Sequence, residues 1–416
     1  MTAAPTVVML SPGYPVEMAY FTRALAAAGA RVIGVGDQPA AELPPAARDA
    51  LAHYEHVALA DEGAVLEALR GLARHARVDQ VECLWEPYML LAARIREEFG
   101  LPGMTAEQTL PFRDKERMKQ ALDAAGVRTP RHASTSTVAG VWAAAERIGY
   151  PIIVKPIAGA GSADTYRVDD GAGLAEVLPL LRHVPEVSVE EFVDGEEFTF
   201  DTICAGGEIL FENVMWYRPR PLQMRLHEWI SPVSIVLRDL QVPQLQGGRE
   251  MGRQVLAALG FGTGFTHMEW YLTAAGEAVF GEIAARPPGA RAVDLMNVAV
   301  DGDAYRGWAE AVLHGRLSRP LRQRYNAGSI FKRAEGAGPI SGVTGLDELQ
   351  AAYGSDIVLV DILPIGAPRR DWRATVVGDG WVVVRHHDLQ RVLDMTERFA
   401  TDLRVLAGGA SGAREW

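Results

Sequence analysis

Two neighbouring apolar segments of the chain carry carboxylates where their side chains would meet. Glu269 lies in the sequence HMEWYL, and Glu282 lies further along in GEIAARP, shortly before Arg286. Because side chains alternate between the two faces of a strand, Glu282 and Arg286 are predicted to share one face. Glu269 and His267 are predicted to share a face of the neighbouring strand. Burying such charges is costly unless a metal or an anion compensates them, which favours a Mg²⁺–phosphate site over a surface hairpin with solvated charges.

A lysine at the end of another predicted strand indicates an anion site. Lys155 lies near the end of the apolar segment GYPIIVKP, which leads into the small-residue loop AGAGSADTYRV. Glycines let backbone N–H groups approach phosphate oxygens, and the lysine ammonium would neutralise their charge. A loop of this composition is by itself a weak signal, and an ordinary hairpin is the alternative. It is not a P-loop, because the pattern G-x-x-x-x-G-K-[ST] is absent.

Two further segments provide groups that a nucleotide needs. Residues 187–201, VSVEEFVDGEEFTFD, alternate as a strand that an Asp–Gly turn interrupts. Backbone groups and a carboxylate between two domains suit an adenine and a ribose, although the glutamates are also consistent with a solvated surface. Residues 109–125 predict a helix that carries Lys115. A lysine on such a helix is usually solvated, so Lys115 alone indicates little.

The elements that position these residues begin as an alternation of strands and helices. Strands are predicted at Thr6–Leu10, Arg31–Val35 and Asp79–Leu84, and helices at Val16–Ala28 and Tyr88–Phe99. The first turn, SPGYP, lacks the G-x-G-x-x-G of a dinucleotide-binding fold, so a nicotinamide or flavin cofactor has little support. We expect an α/β fold with domains at residues 1–108, 109–321 and 322–416. In the last of these, strands alternate with helical stretches such as Leu389–Leu406, which indicates a small α+β domain.

Composition and charge exclude several classes of protein. The chain has 416 residues, of which 48% are hydrophobic and 23% are charged, as expected for a globular protein with a sizeable core. The net charge of −12 is spread along the chain, which argues against a nucleic-acid surface. Cys83 and Cys204 lack metal-ligand spacing, and neither a signal segment nor an apolar run of about 20 residues is present. We expect a cytoplasmic, disulfide-free protein that does not span a membrane.

Taken in order, these segments resemble the ATP-grasp superfamily, and within it the carboxylate–amine ligases that join amino acids or similar acids to amines. The resemblance covers roughly residues 111–301 and depends on the order of several weak motifs. It implies a Rossmann-like N-terminal domain, a central ATP-grasp domain and a C-terminal α+β lid domain. Within the central domain, residues 127–195 would form a mobile phosphate-loop subdomain.

The resemblance also assigns roles to individual residues. Lys115 and Lys155 match the two phosphate-binding lysines, and Arg286 matches the catalytic arginine. The other matches are the phosphate-loop residues Gly159, Gly161, Ser162 and Ala163, the adenine-hinge residues Glu190, Phe192 and Val193, the ribose-binding Glu197, and the Mg²⁺-binding Glu269 and Glu282. One position departs from the pattern, because the family often reads E-x-N-x-R and Ala284 stands in place of the Asn. Alanine cannot coordinate a metal, so either Glu282 bridges two ions with water completing the coordination or one Mg²⁺ binds more weakly.

The reaction that the resemblance implies is a two-step amide synthesis with ATP and Mg²⁺, for which Mn²⁺ is an alternative. An acid is phosphorylated by ATP and an amine then displaces phosphate, so the expected partners are small-molecule acids and amines, with a dimer favoured. A second hypothesis is another ATP-grasp reaction that activates bicarbonate or a purine-pathway acid. A biotin carboxylase, however, has a longer glycine-rich loop and an E-H pair after the catalytic arginine, where this chain has PPGAR. The third hypothesis, a non-catalytic ATP-binding protein, predicts loss of Arg286 or a metal carboxylate, and the chain retains them.

Substrate recognition is assigned to the arginine- and aromatic-rich residues 216–232, WYRPRPLQMRLHEWISP, and to two residues beside the metal strands. The candidates for substrate contacts are Arg218, Arg225, His227, His267 and Arg291, and Arg220 could likewise pair with a substrate carboxylate. An irregular surface loop is the alternative for the residues of the 216–232 segment. A hydrogen-bonded structural histidine is the alternative for His267. Arg291 either supplements Arg286 or starts the helix that follows.

Overall fold

The computed structural model describes residues 4–157 and 164–408. The first sheet of the protein is parallel and has four strands. Its elements are β1 (Thr6–Leu10), α1 (Met18–Ala27), β2 (Arg31–Gly36), α2 (Pro45–Arg48), β3 (Leu51–His56), α3 (Glu62–Ala73), β4 (Gln80–Glu82), α4 (Met89–Phe99) and α5 (Ala106–Thr109). The strand order is β3-β2-β1-β4. Val7 and Met9 of β1 pack on the side of α1, whereas Val8 and Leu10 pack with α3 and α4. Burial on both faces explains why β1 is a continuous apolar run.

A small antiparallel sheet follows, with strand order β5-β8-β6-β7. Its elements are α6 (Lys115–Ala124), β5 (His132–Thr135), α7 (Val138–Ile148), β6 (Ile152–Pro156), β7 (Tyr166–Val168), α8 (Gly171–Val177) and β8 (Val187–Glu191). Helices α7 and α8 cover one face, where Val154 and Val189 are fully buried. The alternation of strand side chains leaves Lys155 and Glu190 on the opposite face.

The largest sheet has nine strands, in the order β14-β13-β9-β11-β12-β15-β18-β17 with β10 paired to β9. The remaining elements are β9 (Glu196–Ala205), β10 (Glu208–Asn213), β11 (Met215–Arg218), α9 (Pro221–Leu226), β12 (Val233–Val236), α10 (Pro243–Ala258), β13 (Gly264–Leu272), β14 (Ala278–Ala284), α11 (Ala292–Val300), α12 (Ala304–His314), β15 (Asn326–Lys332), β16 (Ile340–Thr344), α13 (Leu346–Tyr353), β17 (Ile357–Ile362), β18 (Gly380–His386), α14 (Leu389–Thr401) and β19 (Arg404–Ala407). Helices α10 and α14 cover one face, and α11 and α12 the other. Helix α1 packs on α12, so the first sheet and the largest sheet share an apolar cluster.

The C-terminal part of the chain continues the largest sheet. Strand β15 pairs with β12 from Val233↔Ile330 to Val236↔Ala327, and β18 and β17 follow. The predicted border between residues 321 and 322 therefore precedes a strand of the same sheet, and as a domain boundary it stays a prediction.

Within residues 4–157 and 164–408, none of the helices combines the length and the apolar character that a membrane crossing requires.

The boundaries of three predicted elements differ from those that the sequence pattern indicates. The helix predicted from residue 109 begins at Lys115, because the Asp114 carboxylate accepts from the backbone N–H groups of Glu116 and Arg117, both at 3.0 Å, and caps it. Strand β14 ends at Ala284, before the two prolines of RPPG, which cannot donate to a strand ladder. Arg286 therefore follows the strand instead of lying in it. Helix α14 ends at Thr401, since residues 404–407 pair with β16.

Candidate active site

A narrow cleft with an accessible volume of about 80 Å³ lies between the small antiparallel sheet and the largest sheet. Its lining includes these predicted site residues: Lys115, Lys155, Glu190, Phe192, Val193, Glu197, Glu269 and Glu282. The phosphate-loop residues Gly159, Gly161, Ser162 and Ala163 lie outside the described residues. Six separate elements, α6, β6, β8, β9, β13 and β14, thus bring charged groups to one cleft.

The two predicted metal carboxylates lie opposite each other on adjacent antiparallel strands. Glu269 of β13 pairs in register with Glu282 of β14, and Lys115 Nζ lies 3.2 Å from Glu282 Oε2. Burial alone would raise the pKa of Glu282, but Lys115 and Lys155 lower it to about 2. Two carboxylates match the usual protein contribution to a Mg²⁺ site, in which substrate phosphates and waters supply other ligands. Within the described parts of the chain, no group of three or more His, Cys, Asp or Glu side chains is placed to hold a metal.

A buried glutamate lies between two lysines at the other wall of the cleft. Lys155 Nζ is 3.0 Å from Glu190 Oε2, and Lys119 Nζ contacts Glu190 Oε1, which also accepts from Ser188 Oγ at 2.8 Å. Burial would raise the pKa of Glu190, yet the two lysines hold it well below its usual range. Burial lowers the pKa of Lys119 to about 8 in spite of its pairing with Glu190. The pair of ammonium groups around one carboxylate leaves net positive charge here, which suits an anion.

An arginine occupies the part of the cleft predicted to hold the adenine and ribose. Arg220, just before α9, donates from Nε to Glu197 Oε2 at 3.1 Å and from Nη1 to the Val193 carbonyl at 2.9 Å. Its guanidinium lies over the rings of Tyr271, at 4.7 Å, and Phe192, at 5.2 Å. Burial and the nearby Glu269 raise the pKa of Glu197 to about 8, although Arg220 opposes this. Arg220 therefore contacts Val193 and Glu197, the residues that the resemblance assigns to the adenine and the ribose.

His267 links the metal carboxylates to the interior of the largest sheet. Its Nδ1 lies 2.7 Å from Asp201 Oδ1, and its Nε2 lies 3.4 Å from Glu269 Oε1. The other oxygen of Asp201, which is fully buried, accepts from Thr199 Oγ at 2.7 Å and Asn213 Nδ2 at 3.0 Å. Burial alone would lower the pKa of His267, but its hydrogen bonds to Asp201 and Glu269 raise it to about 9. A protonated His267 therefore orients Glu269 and offsets its charge.

Arg286 extends from the end of β14 toward the N-terminal sheet. Its Nε donates to Glu86 Oε2 at 2.7 Å, and its Nη1 donates to the Pro287 carbonyl at 2.9 Å. Glu86 also accepts from Arg113 Nη1. The charge of Arg286 contributes to the lowered pKa of Glu282, after those of Lys115 and Lys155. The charge of Arg286 thus acts on Glu282, and its side chain is held by Glu86, which follows β4 of the first sheet.

The remaining substrate candidates lie away from the lining of this cleft. Arg218 lies over the Trp216 ring at 4.6 Å and lines a different surface groove. Arg225 is half-buried, and His227 is exposed and stacks on Trp229. Arg291 begins α11 with a positive φ of 58°, and its Nη1 lies 3.4 Å from Asp294 Oδ2. Their roles in substrate binding stay predictions.

Sequence reasoning missed Lys119, Arg220 and Glu86 as part of this arrangement. Lys119 had a signal, since it follows Lys115 by one helical turn in DKERMK and so shares its face. Glu86 had a weaker one, because it follows the carboxyl end of β4, the edge at which ligands of parallel sheets bind. Arg220 was expected only as a partner of a substrate carboxylate in the 216–232 segment, and its contacts with Phe192, Glu197 and Tyr271 had no signal, because those residues come from other parts of the chain.

Comparisons with known proteins agree with the fold. Two family models match the chain: the ATP-grasp N-terminal domain over residues 22–103 and the ATP-grasp domain over residues 112–214. The crystal structure of an L-amino acid ligase from Bacillus licheniformis superposes with a TM-score of 0.78 at 20% identity, over 98% of this chain and 100% of that one. N5-carboxyaminoimidazole ribonucleotide synthetase from Thermotoga maritima superposes at 0.71 with 17% identity, over 97% and 100%. The predicted α/β ATP-grasp fold is confirmed.

One relative with an established name bears on the reaction. The L-arginine-specific L-amino acid ligase of Bacillus subtilis is 28% identical over 246 residues, which is 56% of this chain. This chain spans 58% of the length of that relative. Because the match is partial, it supports a class of reaction and leaves the substrates open.

Proposed function

This chain belongs to the ATP-grasp superfamily, and from this premise we propose that it is an ATP-dependent carboxylate–amine ligase. The observation that carries the proposal is the pairing of Glu269 with Glu282 in a cleft that also receives Lys115 and Lys155. Opposed carboxylates and convergent lysines are what a Mg²⁺–triphosphate requires. The partial match to an L-amino acid ligase supports amide formation as the outcome.

The nucleotide is assigned to the cleft as follows. Phe192 and Val193 take the adenine, Glu197 takes the ribose, and Lys115, Lys119 and Lys155 neutralise the phosphates. Glu269 and Glu282 would hold Mg²⁺, which would offset the negative charge of the phosphates. His267 keeps Glu269 oriented for this task through the Asp201 bond.

The reaction then proceeds in two steps. A carboxylate oxygen of the acid attacks the γ-phosphorus of ATP, the bond to the β–γ bridging oxygen breaks, and ADP and an acyl phosphate result. The amine attacks the acyl carbon, loses a proton, and expels inorganic phosphate to leave the amide. The Arg286 guanidinium stabilises the negative charge that develops on the acyl oxygen or the departing phosphate, because its planar fork donates several hydrogen bonds.

The test is ADP and phosphate release with Mg-ATP across a panel of amino acids, singly and in pairs, with mass spectrometry of the products. We expect release that needs a specific pair, and a product mass equal to both substrates minus water. Release of ADP and phosphate with bicarbonate, and not with amino acids, would support the second hypothesis. The similar fold of N5-carboxyaminoimidazole ribonucleotide synthetase is compatible with that hypothesis. ADP binding without any release would support the non-catalytic one.

Arg286→Ala separates binding from chemistry in the same assay. It should nearly abolish turnover while ADP affinity persists, since Arg286 does not line the nucleotide cleft. Unchanged turnover would remove Arg286 from the mechanism.

The dimer expected from the resemblance is a separate proposal, which sedimentation would test.

A further inference from the structure

Glu86 joins two arginines that belong to different parts of the ATP-grasp machinery. One carboxylate oxygen accepts from Arg286 Nε at 2.7 Å, and the other accepts from Arg113 Nη1. Glu86 is 9% exposed, and the side chains of both arginines are 19% exposed. A buried carboxylate with both oxygens paired to guanidinium groups is fixed far better than a surface ion pair.

The hydrogen bonds of Arg286 determine which of its N–H groups remain available. Glu86 takes the Nε hydrogen and the Pro287 carbonyl takes one on Nη1. Among residues 4–157 and 164–408, no acceptor is bonded to Nη2. A guanidinium carries five N–H donors in one plane, so fixing Nε and one Nη1 hydrogen fixes the direction of the rest. Without Glu86, the guanidinium would be free to rotate about its flexible side chain.

The other half of the contact reaches the phosphate end of the cleft. Arg113 directly precedes Asp114, whose carboxylate caps α6, and Lys115 is the first residue of that helix. Lys115 in turn lies 3.2 Å from Glu282. Glu86, at the carboxyl end of β4, thus contacts both the segment that starts the lysine helix and the segment that follows the metal strand.

We propose that Glu86 is a positioning residue, which aims the free N–H groups of Arg286 at the acyl phosphate and ties their position to the start of α6. The proposal rests on the proposed function of Arg286. It predicts that loss of the Glu86 charge lowers the rate of amide formation and leaves nucleotide binding intact, because Glu86 does not line the nucleotide cleft. It also predicts uncoupling, in which acyl phosphate is hydrolysed and ADP release exceeds amide formation.

Glu86→Gln is the primary test and Glu82→Gln is its matched control. Glu82 is a half-buried glutamate on β4 that lies 3.7 Å from Arg96 and has no contact with Arg286. E86Q should lower kcat by about 10- to 100-fold with the Kd of Mg-ADP within about twofold of wild type, as for other orienting partners of catalytic groups. E82Q should change neither kcat nor the Kd of Mg-ADP. A kcat for E86Q within about twofold of wild type would overturn the proposal; equal losses in kcat and nucleotide affinity would also overturn it, since they indicate a structural role.

A second measurement does not depend on turnover or on the stability of E86Q. In protein labelled with ¹⁵N-arginine, the Nε–H signal of Arg286 is identified by its loss in Arg286→Lys. It should exchange with solvent at least about tenfold more slowly than that of an exposed arginine such as Arg316, because it is buried and bonded to Glu86. Glu86→Asp, which keeps the charge on a shorter side chain, should give an intermediate exchange rate and partial activity. If the Arg286 Nε–H exchanges as fast as that of Arg316, the positioning proposal is overturned even if the ligase reaction is established. If it exchanges slowly in a protein that forms no amide, only the proposed function is rejected.

Discussion

Lysine is scarce in this chain, and its few positions are concentrated at the cleft. It occurs at four positions, of which Lys115, Lys119 and Lys155 converge on Glu190 and Glu282. The fourth, Lys332, donates to Ser231 Oγ at 2.9 Å and to the Ala400 carbonyl at 2.6 Å in the last turn of α14. Arginine supplies the rest of the positive charge.

This distribution allows each lysine to be observed separately. In protein labelled with ¹³C-lysine, the Cε signals of Lys115, Lys119 and Lys155 should shift when Mg-ADP is added, because the phosphates change their charge environment. Lys332 serves as the internal control, since it lies at the end of α14, and its signal should not move. A shift of Lys332 alone, or of none of the four, would contradict the assignment of the phosphates to this cleft.

The site could be predicted from the sequence only where its charges lie on regular elements. Glu269 and Glu282 were found because strand alternation places each on a defined face, and the structure brings them into register. Arg220 was expected to pair with a substrate carboxylate, and its position beside Glu197 and Val193 was not found, since no local pattern encodes these three-dimensional contacts. Arg286 was assigned to the strand, but the prolines after it end β14 at Ala284.

At the scale of elements, the segment between β11 and β12 places Arg220 in the part of the cleft that the resemblance assigns to the nucleoside. Its sequence was consistent with an irregular loop, yet residues 221–226 form α9 and Arg220 precedes that helix. Arg220 bonds the Val193 carbonyl and the Glu197 carboxylate, the groups assigned to the nucleoside. A nucleotide that uses these groups must first displace Arg220.

Removing the Arg220 side chain should therefore strengthen nucleotide binding. Arg220→Gln should lower the Kd of Mg-ADP by about three- to tenfold, since about 1 kcal/mol of hydrogen bonding no longer has to be broken. Isothermal titration calorimetry measures the change, with Arg218→Gln as the control, because Arg218 lies over Trp216 outside the cleft. Weaker binding in R220Q would instead make Arg220 a ligand of the nucleotide.

At the scale of the whole molecule, one sheet connects the site to the C-terminal part of the chain. The expected three-part division predicts a separate lid, whereas β15, β18 and β17 extend the sheet that carries Glu269. Strand pairing between distant segments depends on backbone contacts across the chain, so alternation within β15 could not reveal that β12 is its neighbour. The His267–Asp201 bond lies between β13 and β9 of this sheet, and it contributes to global stability.

That contribution should depend on pH in a defined direction. The pKa of His267 is raised from 6.5 to about 9 on folding, so the stabilisation is complete below pH 6.5 and is lost as the pH rises through 9. The difference in unfolding free energy between wild type and His267→Gln should fall by at most about 3 kcal/mol across this window. Chemical denaturation at several pH values measures it, and other titrating groups largely cancel in the difference. If the difference in unfolding free energy between wild type and H267Q does not change with pH, His267 is neutral in the folded protein.

The burial of the lysines also determines how the protein reacts with amine-directed reagents. The side chains of Lys115, Lys119 and Lys155 are at most 15% exposed, and Lys332 is 5% exposed. A succinimide ester would therefore find no lysine on the surface of the closed protein. Acylation of Lys115, Lys119 or Lys155 would report opening of the cleft, so the rate of their labelling measures that motion, and ATP should slow it.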